Sequence, residues 1–231
     1  MTYLSFLLIF LIPLFTLLTI ISFLKKTVSR HDIIGILILV IIAVLYTTPW
    51  DSHIIKNGIW FYDNDKITGT LFNIPFEEYI FMIIQTIISG LIFCNFRKKI
   101  SNIGFKFSII NLLPFLLIFL IGLLLLKYES FKYIGYLITW ASIPLAIQLF
   151  VGSKAIYFSF KNWILPLLLF TLYLSIIDSI AISNNIWTIN DTTSCGIKLF
   201  RLPVEEIIFF LLTNLLIFQG MSLWSILEKN D

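Results

Sequence analysis

The strongest constraint on this chain is a series of apolar runs, each 18 residues or longer. Seven can be marked, at about 3–24, 33–50, 75–95, 107–126, 131–151, 162–182 and 203–226. A helix needs about 20 apolar residues to cross ~30 Å of hydrocarbon. Lipid offers no partner for backbone N–H and C=O groups, so an open chain crosses only as helices. A closed barrel would need short alternating strands instead. The expectation is an all-α, polytopic membrane helical bundle of about seven spans. Composition agrees: 13% of residues are charged, against about 25% in soluble domains, and mean hydropathy is +0.98. The run 3–24 is too long for an ordinary signal segment and has no small-residue cleavage pattern, so it reads as a retained first span. The net charge of +3 is spread out, which excludes the basic stripe that nucleic acid requires. Cys94 and Cys195 form no CxxC pair and suggest neither a metal site nor a disulfide framework.

Inside this apolar background lies a repeat. Phe72 to Phe81 reads FNIPFEEYIF, and Phe200 to Phe209 reads FRLPVEEIIF, at an offset of 128. Asp51-Ser52 matches Asp178-Ser179, and Ile59-Trp60 matches Ile186-Trp187, both at an offset of 127. The first three spans map onto the last three, and the fourth is left over. One intervening span makes the copies parallel, an architecture known in membrane proteins. The expected organisation is two three-span repeats, 1–106 and 128–231, joined by a linker span at 107–127. Both Pro-x-Glu-Glu motifs then open on one face. Ten of the sixteen Lys and Arg residues, Lys99 and Lys229 among them, fall on the opposite side. The positive-inside rule therefore places the N-terminus outside and the C-terminus in the cytoplasm, in the plasma membrane.

Pro75 and Pro203 suit helix starts, which puts Glu77, Glu78, Glu205 and Glu206 in first turns. There a carboxylate can simply satisfy free N–H groups and the helix dipole. Ionisable residues at membrane depth are costly, however, and usually mark working sites. The helix N-terminus favours the carboxylate, whereas burial and an adjacent Glu favour the neutral acid. A neutral acid beside a carboxylate is what a proton donor and acceptor require. One turn beyond the Glu pairs lie Phe81 and Met82, and in the second copy Phe209 and Phe210. That setting suits a hydrocarbon substrate, and aromatic faces stabilise a passing cation. Trp60 and Trp187 are candidates for that role or are interface anchors. Asp51 and Asp178 are further site carboxyls or span ends reaching water.

At these residues the chain resembles the lycopene cyclase domain, the non-flavin carotenoid cyclase type, in its fused form. The resemblance rests on the duplicated IPFEE and LPVEE, on Pro49-Trp50-Asp51 and on Gly58-Ile59-Trp60, and it covers nearly the whole chain. It implies an intramolecular lyase or isomerase that converts lycopene to γ-carotene and then β-carotene. A proton adds to the terminal alkene, a ring closes and a proton leaves, with no redox cofactor and no metal. Carried over, the acidic motifs fall on Glu77, Glu78, Glu205 and Glu206 as catalytic residues. Asp51, Trp60, Phe81, Asp178, Trp187 and Phe209 are the substrate-binding or cation-stabilising candidates. The partners implied are a lipophilic carotenoid, the lipid bilayer and other carotenoid enzymes. The second copy departs from the pattern, with Ile177 before its Asp and Asn185 before its Ile-Trp. Some relatives use C50 carotenoids or make ε-rings, so substrate length and ring type stay open.

Other classes fit less well. The last span lacks the Lys of a retinal protein, and the Glu pairs lack the following Arg of an intramembrane protease. Asp63 to Lys66 is a faint echo of a diphosphate-binding cluster, and no GxGxxG is present for a flavin-type cyclase. A small proton- or cation-coupled transporter is the alternative, although the third and seventh spans are almost wholly apolar past Gln85 and Asn214. A structural membrane protein would tolerate Ala at the Glu pairs.

Overall fold

The computed structural model of the chain describes residues 1–98 and 104–227. Lys99 and Lys229, counted above among the basic residues, lie outside them. The chain is mostly helical. Five helical segments are long and apolar enough to cross a membrane: Tyr3–Lys25, Arg30–Lys56, Phe76–Phe96, Glu129–Ser183 and Val204–Leu227. Ile109–Leu125 is shorter.

Helix α1 (Tyr3–Lys25) contains a π-helical turn at Leu7–Leu11, just before Pro13. Proline has no N–H to continue the ladder, and a widened turn accommodates it. Helix α2 (Arg30–Lys56) starts on a reciprocal capping box between Ser29 and Asp32. Asp32, fully buried, also takes an Arg97 guanidinium at 2.8 Å, so its charge is compensated. Helix α3 (Phe76–Phe96) and helix α4 (Leu113–Leu125) follow. Gly122 of α4 faces Gly135, where an added Cβ would meet the opposing carbonyl at 3.1 Å, a close approach that small residues permit between membrane helices.

Helix α5 (Lys132–Ser183) shows no loop between the expected spans 131–151 and 162–182. Its backbone leaves helical geometry only at Gly152 (φ −154°, ψ 44°). Near the bend, Lys106 and Ser108 donate their amides to the Val151 and Phe150 carbonyls, satisfying acceptors there. Tyr133 and Asp178, 45 residues apart along α5, border one site (below). At 1.5 Å per residue a straight helix would separate them by about 68 Å, so the two arms fold back on each other. Helix α6 (Val204–Trp224) closes the bundle.

The loops were not expected to carry strands, yet short ladders form. Strand β1 (Trp60–Tyr62) precedes the hairpin of β2 (Thr70–Leu71) and β3 (Ile74–Pro75). Strand β4 (Trp187–Ile189) likewise precedes the hairpin of β5 (Lys198–Leu199) and β6 (Leu202–Pro203). Strands β1 and β4 pair antiparallel, with Trp60 opposite Ile189 and Tyr62 opposite Trp187. This pairing ties the two loops together over the ends of the helices.

Candidate active site

Strands β3 and β6 run directly into α3 and α6, with Pro75 and Pro203 as the N-cap residues and both Glu pairs in the first turns. Consecutive helical residues point about 100° apart, so the two members of each pair cannot share a direction. The first member turns back to its own loop. Glu77 Oε1 accepts the Thr68 N–H at 2.9 Å, and Glu205 Oε1 accepts the Cys195 N–H at 2.7 Å. Ser194 Oγ adds contacts of 3.1 Å to both oxygens of Glu205. The second member faces inward. Tyr3 and Tyr62 donate their hydroxyls to Glu78 Oε2 at 2.7 and 3.0 Å, and Tyr133 donates to Glu206 Oε1 at 2.7 Å. Tyr62 lies in β1, outside the helices; burial, and then the Glu78 charge beside it, pushes its phenol well above the usual range. It therefore remains a hydroxyl donor.

Glu78 and Glu206 line one narrow inner chamber together with Asp178, Trp60, Trp187, Phe81 and Phe209. Asp178 is 1% exposed, and neither of its oxygens has a hydrogen-bond partner. The Trp187 indole lies near it without a bond of ordinary geometry. Asp51 is equally buried and sits within electrostatic range of both Glu78 and Glu206. The rings make a continuous wall. Trp60 meets Phe209 edge-on at 5.7 Å, Trp50 stacks on Phe209 at 5.8 Å, and Trp140 stacks on Trp50 at 4.9 Å.

The chamber adjoins a larger apolar cleft with about 1170 Å³ of empty space, counted to its open mouth. This cleft lies between α2, α3, the first arm of α5 and α6, with Ala43, Met82, Pro144 and Leu216 among its walls. Glu78, Phe81 and Phe209 belong to both spaces, whereas Glu206 lines only the inner one.

Of the sequence candidates, Glu78, Glu206, Asp178, Trp60, Trp187, Phe81 and Phe209 are brought together, with Asp51 beside them. Glu77 and Glu205 are buried against the loops and do not line the chamber. The sequence reading missed Tyr3, Tyr62, Tyr133, Trp50 and Trp140. A signal existed for two of them: Tyr3 and Tyr133 are phenols at the starts of the first and fifth apolar runs, 130 residues apart. Among the described residues no group of three or more His, Cys, Asp or Glu side chains is arranged to hold a metal ion. The site can present two hydrogen-bonded carboxyl groups, one as acid and one as base, in an aromatic, water-poor space.

Comparison with known proteins points the same way. The family model for Lycopene cyclase matches residues 1–96 and 132–223. A Lycopene beta-cyclase of Halobacterium salinarum is 32% identical over 228 residues, covering 97% of this chain and 96% of the relative. The Bifunctional lycopene cyclase/phytoene synthase of Aspergillus oryzae is 33% identical over 220 residues, and that of Phaffia rhodozyma 33% over 241. The matches cover 91% and 93% of this chain but only 37% and 35% of those relatives. No solved structure matches the chain. None of these matches supports the transporter alternative.

Proposed function

Because the chain belongs to the lycopene cyclase family, and is thereby an enzyme of the intramolecular lyase or isomerase class, we propose that it closes the end groups of lycopene within the membrane, giving γ-carotene and then β-carotene. The observation that carries this reading is the convergence of Glu78 and Glu206 in an aromatic chamber that adjoins a larger apolar cleft. The polyene lies in the cleft and its end group reaches the chamber. One glutamic acid protonates the terminal double bond, the next double bond closes a six-membered ring, and a carboxylate removes a proton. No electrons are gained or lost. Trp60, Trp187, Phe81 and Phe209 supply ring faces to the intermediate cation, and cation–π attraction of about 2 kcal/mol or more is available in such a desolvated place. Glu77 and Glu205 hold the loops over the site and thereby position their neighbours.

The architecture proposed with this function is seven spans in a plasma membrane, N-terminus outside, built from parallel repeats 1–106 and 128–231 around a linker span at 107–127. Matched contacts support the repeat. Thr68 with Glu77 corresponds to Cys195 with Glu205, and Tyr3 with Glu78 corresponds to Tyr133 with Glu206. Tyr46 donates to the Trp140 carbonyl, and Tyr173 to that of Phe10. The folding-back of α5 at Gly152 supports two spans there. Association with other carotenoid enzymes is part of the proposal, since the named fungal relatives combine cyclase and phytoene synthase.

The test is expression in a bacterium engineered to accumulate lycopene, followed by chromatography of the pigments. Monocyclic and bicyclic carotenes are expected. Unchanged lycopene, with the chain present in the membrane fraction, overturns the reading.

A further inference from the structure

The two halves of the site are not equivalent, and we infer from their differences that Glu206 is the proton donor that starts ring closure and Glu78 the carboxylate that ends it. This assignment rests on the cyclase reading above and adds roles to it.

The first observation is position. A linear end group enters tip first, with its polyene trailing in the cleft. The proton is added at the terminal double bond, which becomes the far side of the new ring. The proton is removed from the ring carbon that joins the polyene, on the near side. The donor must therefore stand in the chamber away from the cleft, and the acceptor where chamber and cleft meet. Glu206 lines only the inner chamber, whereas Glu78 lines both chamber and cleft.

The second observation is independent. Glu78 accepts two phenol hydroxyls on one oxygen, from Tyr3 and Tyr62, whereas among the described residues Glu206 accepts one, from Tyr133, with the Trp60 indole near it but without a bond of ordinary geometry. Hydrogen bonds donated to a carboxyl favour its charged form. The imbalance has a simple origin. Tyr3 and Tyr133 are counterparts, but at the offset of 127 the counterpart of Tyr62 is Ile189, which also lines the chamber and has no hydroxyl. The better-solvated carboxylate is thus the one where chamber and cleft meet.

The Glu206 O–H bond breaks, and its proton joins the less substituted carbon of the terminal alkene, whose π bond is lost to leave a tertiary cation on the dimethyl carbon. The neighbouring π bond becomes the ring C–C bond and moves the cation to the next ring carbon. Glu78 takes the proton from the carbon joining the polyene, and that C–H pair becomes the ring double bond. Glu206 is then a carboxylate and Glu78 an acid. The proton returns through Asp178, which borders the same chamber with both oxygens unpartnered.

The experiment compares wild type, Glu206→Gln and Glu78→Gln as full chains in lycopene-accumulating membranes. Wild type must cyclise, and if it does not, the cyclase reading itself fails. Glu206→Gln is expected to leave lycopene unchanged. Glu78→Gln is expected to retain cyclisation at a reduced rate and to shift the ring double bond, because the cation loses a proton from a different carbon. The reverse pattern overturns the assignment. If both variants leave lycopene unchanged, binding of a polyene ending in a tertiary ammonium, a mimic of the cation, decides by tryptophan quenching. Affinity falls at least tenfold in Glu78→Gln and less than threefold in Glu206→Gln if the carboxylate is Glu78. Equal losses, or the opposite order, overturn it.

Discussion

At the scale of single residues, the site depends on three phenols holding two carboxyl groups. Glu78 and Glu206 are 7% and 4% exposed, and neither has a basic partner among the described residues. A buried carboxyl group without hydrogen bonds is strongly disfavoured, so the hydroxyls of Tyr3, Tyr62 and Tyr133 make the arrangement tenable. A hydrogen bond to a charged group contributes about 1.5–3 kcal/mol. Tyr3→Phe and Tyr133→Phe keep the rings packed and remove one bond each. Each is expected to lower cyclisation about ten- to a hundredfold, measured as initial rates in membranes, and to lower the unfolding temperature by several degrees. Rates within twofold of wild type would mean that the phenols are only packing. The contrast within each Glu pair is a residue-scale fact that the sequence could not resolve. Which Glu faces inward depends on the residue at which the helix begins, and one residue of shift rotates the choice by about 100°.

At the scale of elements, the helices were legible and the strands were not. Apolar runs report spans directly, because the membrane demands them. Pro75 and Pro203 marked the helix starts to within one residue. The ladder between β1 and β4 joins three-residue segments separated by more than 100 positions, and no periodicity of that length stands out from loop sequence. Nor did the 162–182 run announce that helix resumes immediately after Gly152, since the intervening residues are more polar. The ladder has a clear consequence. It carries Trp60 and Tyr62 on one strand and Trp187 and Ile189 on the other, so it sets the chamber's roof. Thr188, at its centre, is exposed. Thr188→Pro removes an N–H from the middle of the ladder and is expected to lower cyclisation at least tenfold. Thr188→Val suits a strand and alters only the exposed side chain, so its rate should match wild type. Equal rates in both variants would show that the roof forms without the ladder.

At the scale of the whole molecule, the proposed repeat encloses an apolar cleft that is lined mainly from one side. The carboxyl groups, the prolines and the loop anchors occur in pairs, and the proposed repeat rests on those pairs. One difference between the halves sits in a motif, at Trp50 of Pro-Trp-Asp, and others lie in ordinary apolar residues where no motif draws the eye. Trp50 corresponds to Ile177, and Ala43 to Phe170, each at an offset of 127. Ala43 lines the open cleft, whereas Phe170 is buried and stacks against Tyr173 at 6.4 Å. A small residue thus leaves space in one half where a large one fills it in the other. Ala43→Phe makes the first half resemble the second and places a ring in the cleft between α2 and α6. Because the added side chain enters existing space, it avoids the strain of overpacking a filled core. The expected outcome is an unfolding temperature equal to or above that of wild type, together with cyclisation reduced at least tenfold. Pigment chromatography and thermal unfolding in detergent measure the two effects separately. Full activity with phenylalanine at position 43 would place the polyene outside this cleft. A loss of both activity and stability would mean that the cleft closes around a residue the fold requires to be small.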